Sequence, residues 1–486
     1  MNSASTETTP LLPRTRCPTR CTEQLKVADL VCEARQMGPL AWPVSIGYLM
    51  QMSLGIASVV ALGRVGTTSL AAMALATLFA NVTGYSLVVG MAAAIDTLCS
   101  QTHGECTAGT GDKKEIGRHL NRVMFLLFVL AVPVSVLWWF TEPLLLFAGQ
   151  DPAIARLSAL YIRYMIPSLI PFIIAESVKR FLMAQGIMTA QMYVIGFVAP
   201  LNAFLQYLLV LSPYKIGQDG VGAPIALTLS HVLIALLLCL YTRFAHGGDA
   251  YAGWEWNHVL CARKLTCAVK LGFSGVLMTC TEWWAWEVVV LAAGIISPTS
   301  LAAQTIILNI TVITYTIPLG FSIACSTRIG NALGASDPQK AKVIAWAAMC
   351  TGAVLALLNS SFLMLIRNHL AWFFSDDTEV VDLVQQIIPL AATYQTADMV
   401  GCIAGGILRG AGRPEIGACL NLFGYYVLGI PVGLLLCFMG GMQLYGMWVG
   451  LTIALFVVAG VELYIIWVLD WSKEAKEAHE RSLHLE

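Results

Sequence analysis

Twelve apolar runs, each long enough to cross about 30 Å of hydrocarbon, divide this 486-residue chain almost from end to end. They lie near 38–62, 70–95, 120–140, 158–178, 190–211, 222–243, 268–296, 300–325, 342–366, 380–408, 415–440 and 444–469. Inside a bilayer no water satisfies backbone N–H and C=O groups, so runs of this length have to be helices. The expectation is an all-α integral membrane protein of twelve transmembrane helices. Only 12% of residues are charged, about half the share of a soluble domain at roughly 25%. A mean hydropathy of +0.73 extends membrane contact through the whole chain. The net charge of −1 leaves no electrostatic footprint for nucleic acid. Residues 1–35 are polar and basic, without the apolar core of a signal peptide, and read as a cytosolic tail.

The basic residues orient the set. Arg64, Arg156, Arg163, Lys215 and Arg367 fall on one side, and the rest of the 28 lysines and arginines fall on the other. By the positive-inside rule the richer side is cytoplasmic, and an even helix count places both termini there.

The chain also repeats itself. TSLAA at Thr68 to Ala72 recurs at Thr299 to Ala303, and Tyr85, Gly90 and Gly104 match Tyr315, Gly320 and Gly334. The fourth and tenth spans share an Ile-Pro start at Pro167 and Pro389, then end in KRFLMAQG and ILRGAG. Two six-helix lobes follow, parallel because six is even and related by an axis along the membrane normal. The expected division is a cytosolic tail at 1–37, an N-terminal lobe at 38–243 and a cytosolic loop at 244–267. A C-terminal lobe at 268–470 and a cytosolic tail at 471–486 complete it.

Within this apolar background a few carboxyls stand out. Glu282 sits at the middle of Cys267 to Ile296, where Lys270 and Glu287 are the other charged residues. A carboxylate at a helix centre costs roughly 2.5–3.5 kcal/mol on insertion scales, so it marks a partner or a water-filled cavity. Glu287 follows five residues later and points about 140° away from Glu282. Asp398 lies deep in the tenth span. Asp96 falls at a cytoplasmic helix end where an acid is easily solvated, and Glu176 lies beside Lys179 and Arg180, as in a local ion pair. Glu462, in the last span, reads equally as functional or as hydrogen-bonded between helices.

TEWWAWE (Thr281 to Glu287), CSTRIGNALGAS (Cys325 to Ser336), ILRGAG followed by NLFGYYVLGIPVG, and NVTG with DTLCSQTHG together resemble the eukaryotic branch of the multidrug and toxic compound extrusion (MATE) family. The resemblance runs from about Gly38 to Asp470. It implies two six-helix lobes around a central cavity and export of organic solutes against proton or sodium entry, usually protons in this branch. It assigns Glu282, Asp398 and Glu287 to proton or cation coupling. Where animal members often carry a further glutamate in helix eight, this chain has Asn309. Gln51, Asn81, Trp283, Gln304, Asn309 and Tyr315 are candidates for the substrate cavity, with interhelical packing as the alternative for each. Trp283, Trp284 and Trp286 offer flat or cation–π surfaces, or pack between helices.

A desolvated carboxyl can hold a proton or a cation, so it can trade one for the other near neutral pH. The expected activity is therefore secondary active export of organic cations or other small organic solutes by proton antiport. Sodium coupling, a lipid-linked flippase and a membrane-embedded enzyme are the alternatives. No phosphate-binding GxxxxGK[ST] loop is present, which argues against an ATP-driven pump. Cys99, His103 and Cys106 supply only three ligands, so neither a metal nor another cofactor is expected. The protein is expected to work as a monomer. The segment ETTPLL (Glu7 to Leu12) fits an acidic dileucine sorting pattern, so the plasma membrane and a vacuolar or lysosomal membrane both stay open.

Overall fold

The computed structural model describes residues 26–483 other than 214, 218, 246, 252 and 376. The dileucine-like segment and the first tail arginines lie outside the described residues. Long helices follow one another as α1 (Val27–Gly63), α2 (Thr67–Ala108), α3 (Lys113–Trp139), α4 (Pro152–Ala184), α5 (Thr189–Leu211) and α6 (Gly222–Phe244). The second set is α7 (Ala262–Ile296), α8 (Pro298–Gly334), α9 (Pro338–Phe373), α10 (Thr378–Ala411), α11 (Pro414–Met439) and α12 (Gln443–Val468). An amphipathic helix, α13 (Trp471–Leu483), closes the chain. All of the first twelve except α10 are apolar and long enough to cross a membrane. The exception is 34 residues long, but Glu379, Asp382, Gln395, Asp398 and Arg409 interrupt its apolar windows.

Local chemistry sets the helix ends. The side chains of Asp112, Asp151, Asp337 and Asp377 accept from backbone N–H groups in the first turns of α3, α4, α9 and α10. Proline opens α4, α8, α9 and α11, where its missing N–H has no intrahelical partner to lose. Gly109 and Gly412 end α2 and α10 in the left-handed conformation, at φ 86° and 79°. Regular geometry is broken by π-helical turns at Asn81–Tyr85 in α2 and Phe423–Gly429 in α11, the latter just before Pro431. Pro318 and Pro389 lie inside α8 and α10.

Two of the helices run past their apolar spans. α1 begins at Val27, eleven residues before the expected start, and joins part of the expected tail to the first lobe. α2 continues through the polar segment from Asp96 to Ala108. Hydropathy ends it early because those polar residues meet other helices, Asp96 within its own lobe and Thr97 and Gln101 across the seam, rather than lipid.

Each lobe has its own apolar core. One draws on residues from Leu54 to Ala250 and also takes in Ala268 and Leu271 from the start of α7, the other on residues from Ala285 to Leu455. A third core joins Met37 and Ala41 of α1 to α8, α9, α10 and α13. The lobes meet through repeat-related positions. Gly90 of α2 packs on α7, where a Cβ would come within 2.5 Å of Val276 Cα; its repeat mate Gly320 of α8 packs on α1, within 2.6 Å of the Ala41 carbonyl. Cross-lobe hydrogen bonds run from mid-depth, Trp284 Nε1 to the Val82 carbonyl and Ser45 Oγ to the Ile317 carbonyl, down to the end that carries the chain termini. There Arg328 pairs with Glu33 and donates to Gln36 Oε1 at 2.9 Å.

The segment between the lobes is pinned to α3. Asn121 donates to the Gly253 carbonyl, Arg122 donates to the His258 carbonyl, and Lys264 pairs with Glu115 at 3.2 Å. α13 folds back on the terminal side, burying Trp471, Ala475 and Ala478. Glu474 and Glu477 pair with Arg413 at 3.1 and 2.7 Å.

Candidate functional site

Tyr394, Asp398, Cys402 and Arg409 are spaced by four, four and seven residues, so they line one face of α10. Met278, Glu282 and Trp286 form the matching stripe on α7. The two stripes face each other. Arg409 Nη1 reaches Met278 Sδ at 3.7 Å, and the Trp286 and Tyr394 rings meet edge to face with centroids 5.4 Å apart. Between these ends Glu282 is half-buried, and Asp398 is 9% exposed. The Tyr315 hydroxyl, from α8, faces Glu282 and Cys402 and lies within electrostatic reach of Asp398. Asp398 also lies within reach of Glu282.

Gln395 braces this group. Its Oε1 accepts from Thr314 Oγ1 at 3.1 Å and from Asn359 Nδ2 at 3.4 Å, and its Nε2 is 3.5 Å from Asp398 Oδ2. Tyr425 of α11 adds a second tyrosine within reach of both acids. Arg409 is the cation that acts on Glu282; its guanidinium donates to Ser322 Oγ at 2.9 Å rather than pairing with a carboxylate. Sequence reading had not singled out Tyr394, Gln395, Cys402, Arg409 or Tyr425. Following the face of Asp398 along α10 at 3.6 residues per turn would have found Tyr394 and Cys402 one turn away on either side and Arg409 three turns on.

A second charged group is buried in the first lobe, toward the terminal side. Arg180 of α4 pairs with Asp96 of α2 and, at 2.8 Å, with Glu176, while Lys179 pairs with Glu176 and lies 4.7 Å from the centre of the Tyr48 ring. The ion pair expected for Glu176 is present. Asp96 differs from expectation: it is 6% exposed, because α2 continues past it into the seam between the lobes. Across that seam Thr97 Oγ1 donates to the Arg409 carbonyl at 2.7 Å, and Gln101 donates to that of Gly410.

The remaining candidates scatter. Glu287 is half-buried off the stripe of Glu282 and makes no hydrogen bond or ion pair among the described residues. Gln304 is fully buried and accepts from Trp448 Nε1 at 2.9 Å, so it links α8 to α12 instead of lining a cavity. Gln51 is partly exposed and accepts from Gln191 at 3.3 Å. Asn81 is partly exposed in the π-helical turn of α2. Asn309 is exposed and donates back to the Thr305 carbonyl of its own helix. Trp283 is exposed, Trp284 bonds across the lobes, and Trp286 packs against Tyr394 and Trp448. Cys99 is buried with its thiol on the Ile116 carbonyl.

Comparison with known proteins identifies the family and the fold. The MatE family model matches residues 43–208 and 276–435, one segment in each lobe. Protein DETOXIFICATION 16 of Arabidopsis thaliana is 35% identical over 91% of this chain and 89% of its own length. Multidrug and toxin extrusion protein 1 of Danio rerio is 34% identical over 90% of this chain and 73% of its own. The crystal structure of the eukaryotic MATE transporter AtDTX14 superposes with a TM-score of 0.85 at 29% identity, covering 93% of this chain and 99% of that one. The Vibrio cholerae MATE transporter VcmN in its bent form shares the fold, with a TM-score of 0.79 at 15% identity over 93% of this chain and 99% of its own. With its two six-helix lobes and a matched segment in each, the chain belongs to the MATE family of multidrug and toxin extrusion transporters, and is a multi-pass membrane transporter rather than an enzyme.

Proposed function

We propose that this transporter exports organic cations in exchange for protons, with Glu282 and Asp398 holding the exchanged charge. One observation carries the reading: a partly exposed carboxyl, Glu282, that bonds the Tyr315 hydroxyl and a buried one, Asp398, braced by Gln395, lie within reach of each other in a single lobe. A carboxyl withdrawn from water takes either a proton or a cation as partner. Two such groups, one wetted and one dry, form a site in which cargo and proton displace one another.

The lobes are joined from mid-depth to the terminal side, which the basic residues mark as cytoplasmic. In this arrangement the acids exchange with the opposite compartment. Proton uptake cancels the attraction for a cationic solute and releases it outside. When the lobes reopen toward the cytoplasm, the acids lose their protons and the next cation takes their place. The relatives' names, multidrug and toxin extrusion protein and DETOXIFICATION, agree with a small organic cargo. The host membrane is the plasma membrane or that of a vacuole or lysosome, and the working unit is a monomer.

The test is flux of tetraethylammonium in proteoliposomes under an imposed pH or sodium gradient. Wild type should respond to the pH gradient, while Glu282→Gln and Asp398→Asn should lose gradient-driven flux. Flux that follows sodium alone, or that survives in both variants, overturns the proposal.

A further inference from the structure

We propose that Glu462 of α12 is a proton-relay carboxyl that carries protons between the Glu282–Asp398 site and the terminal side of the protein. The inference rests on the proton-exchange reading above. Glu462 is 1% exposed, and its Oε2 has no hydrogen-bond partner among the described residues. Interhelical hydrogen bonding therefore does not explain an acid in the last span. A buried carboxyl oxygen without a partner costs about 1–3 kcal/mol, and the fold retains it.

The unpartnered oxygen points at Gly401 of α10. A Cβ built there would meet nothing within 4 Å except Glu462 Oε2, at 3.5 Å. The missing side chain leaves a gap between α10 and α12. Gly401 and Cys402 are themselves partly exposed, as are Tyr315 and Glu282, whereas Glu462 Oε2 is closed to solvent. Gly401 lies three residues beyond Asp398, about 4.5 Å nearer the terminal side. Further along α10 comes Arg409, within electrostatic reach of Glu462, of Glu282 and, across the seam, of Asp96.

The elements packed on α12 present few other groups to Glu462. They are Glu282 from α7, Arg409 from α10 and the Tyr425 hydroxyl from α11. The relay step needs α10 and α12 to part enough at Gly401 to admit a water against Glu462 Oε2. An O–H bond breaks on the Glu282 carboxyl and one forms on the Glu462 carboxylate. The O–H bond on Glu462 then breaks and a new one forms on a water toward the terminal side, which carries the proton away as hydronium, with no change of oxidation state.

The experiment separates proton movement from cargo movement in the full-length protein. Reconstituted Glu462→Gln is measured in two modes: uptake of tetraethylammonium driven by a pH gradient, and exchange of labelled for unlabelled tetraethylammonium without one. The expected result is a fall of about tenfold or more in proton-driven uptake with exchange close to wild type. Glu462→Asp, which keeps a carboxyl, should recover much of the lost uptake. Equal loss in both modes, or no loss in either, overturns the relay. A wild type that shows no proton-driven uptake defeats the proton reading itself, whatever Glu462 does.

Discussion

Gly104 and Gly334, equivalent positions in the two repeats, each press a bare Cα against the backbone of the other's helix. A Cβ at 104 would collide with the Asn331 carbonyl, and one at 334 would collide with that of Gln101. α2 and α8 thus cross at backbone contact on the terminal side, which is how small residues close membrane interfaces. The seam there is dry and tight, while the acids of the second lobe lie beyond it.

Filling that crossing should open it. Gly334→Val forces the helices apart, a type of overpacking that costs about 1–3 kcal/mol. The expected outcome is a lower thermal unfolding midpoint together with faster thiol labelling of a cysteine placed at Gln101. Unchanged labelling would show that the crossing does not seal the terminal side.

Arg180 holds two buried acids, Asp96 and Glu176. Arg180→Ala leaves Asp96 without its ion-pair partner and should lower stability by about 3–5 kcal/mol, read as thermal unfolding in detergent. Asp96→Ala combined with Arg180→Ala should recover part of the loss. A double variant no better than the single would place the cost in packing alone.

Glu33 and Arg328 join the lobes at the terminal end, one from α1 and one from α8. Their pair is partly buried, so Arg328→Ala should destabilise more than the roughly 0–1 kcal/mol of an exposed pair. Exchanging the two charges, Glu33→Arg with Arg328→Glu, should restore transport above either single variant.

Arg481 of α13 donates to the Gly412 and Ala411 carbonyls at 3.1 and 3.3 Å, capping the helix that carries Asp398. A cation at such a helix end contributes about 0.3–1 kcal/mol, and up to about 2 kcal/mol when partly buried. Arg481→Ala should lower the thermal midpoint by an amount in that range without altering cargo affinity. A change in affinity instead would mean that α13 acts on the site itself.

Glu282 and Glu287 should part company in transport. Glu282→Gln removes the carboxyl that faces Tyr315 and should abolish proton-driven flux, whereas Glu287→Gln, off that stripe, should leave most of it. Equal loss in both would require a second acidic position on α7.

Much of this architecture can be read without coordinates. Bilayer hydrocarbon forces each long apolar run into a helix, so the spans near 38–62 or 222–243 are legible as they stand. α10 is recognisable from its length and its repeat of α4, although its polar residues lower its hydropathy. The conspicuous acids, Glu282 and Asp398, lie within reach of each other where the facing stripes of α7 and α10 meet. Asp96 was harder to read: a polar stretch at a helix end looks the same whether it meets water or another lobe. Glu462 was ambiguous because one sequence does not record whether a buried polar group has found a partner.

The amino-acid sequence by itself determined the twelve helices, their duplication and the rarity of acids within them, because each follows from the cost of polar groups in hydrocarbon. Only the tertiary structure decided that repeated glycines pair α2 with α7 and α1 with α8, that Asp96 is buried in a seam and that Gln304 bonds to Trp448. It also set Glu462 beside the gap at Gly401 with an unpartnered oxygen. Those outcomes depend on which faces of distant helices touch, and residue type along one helix does not specify its neighbour.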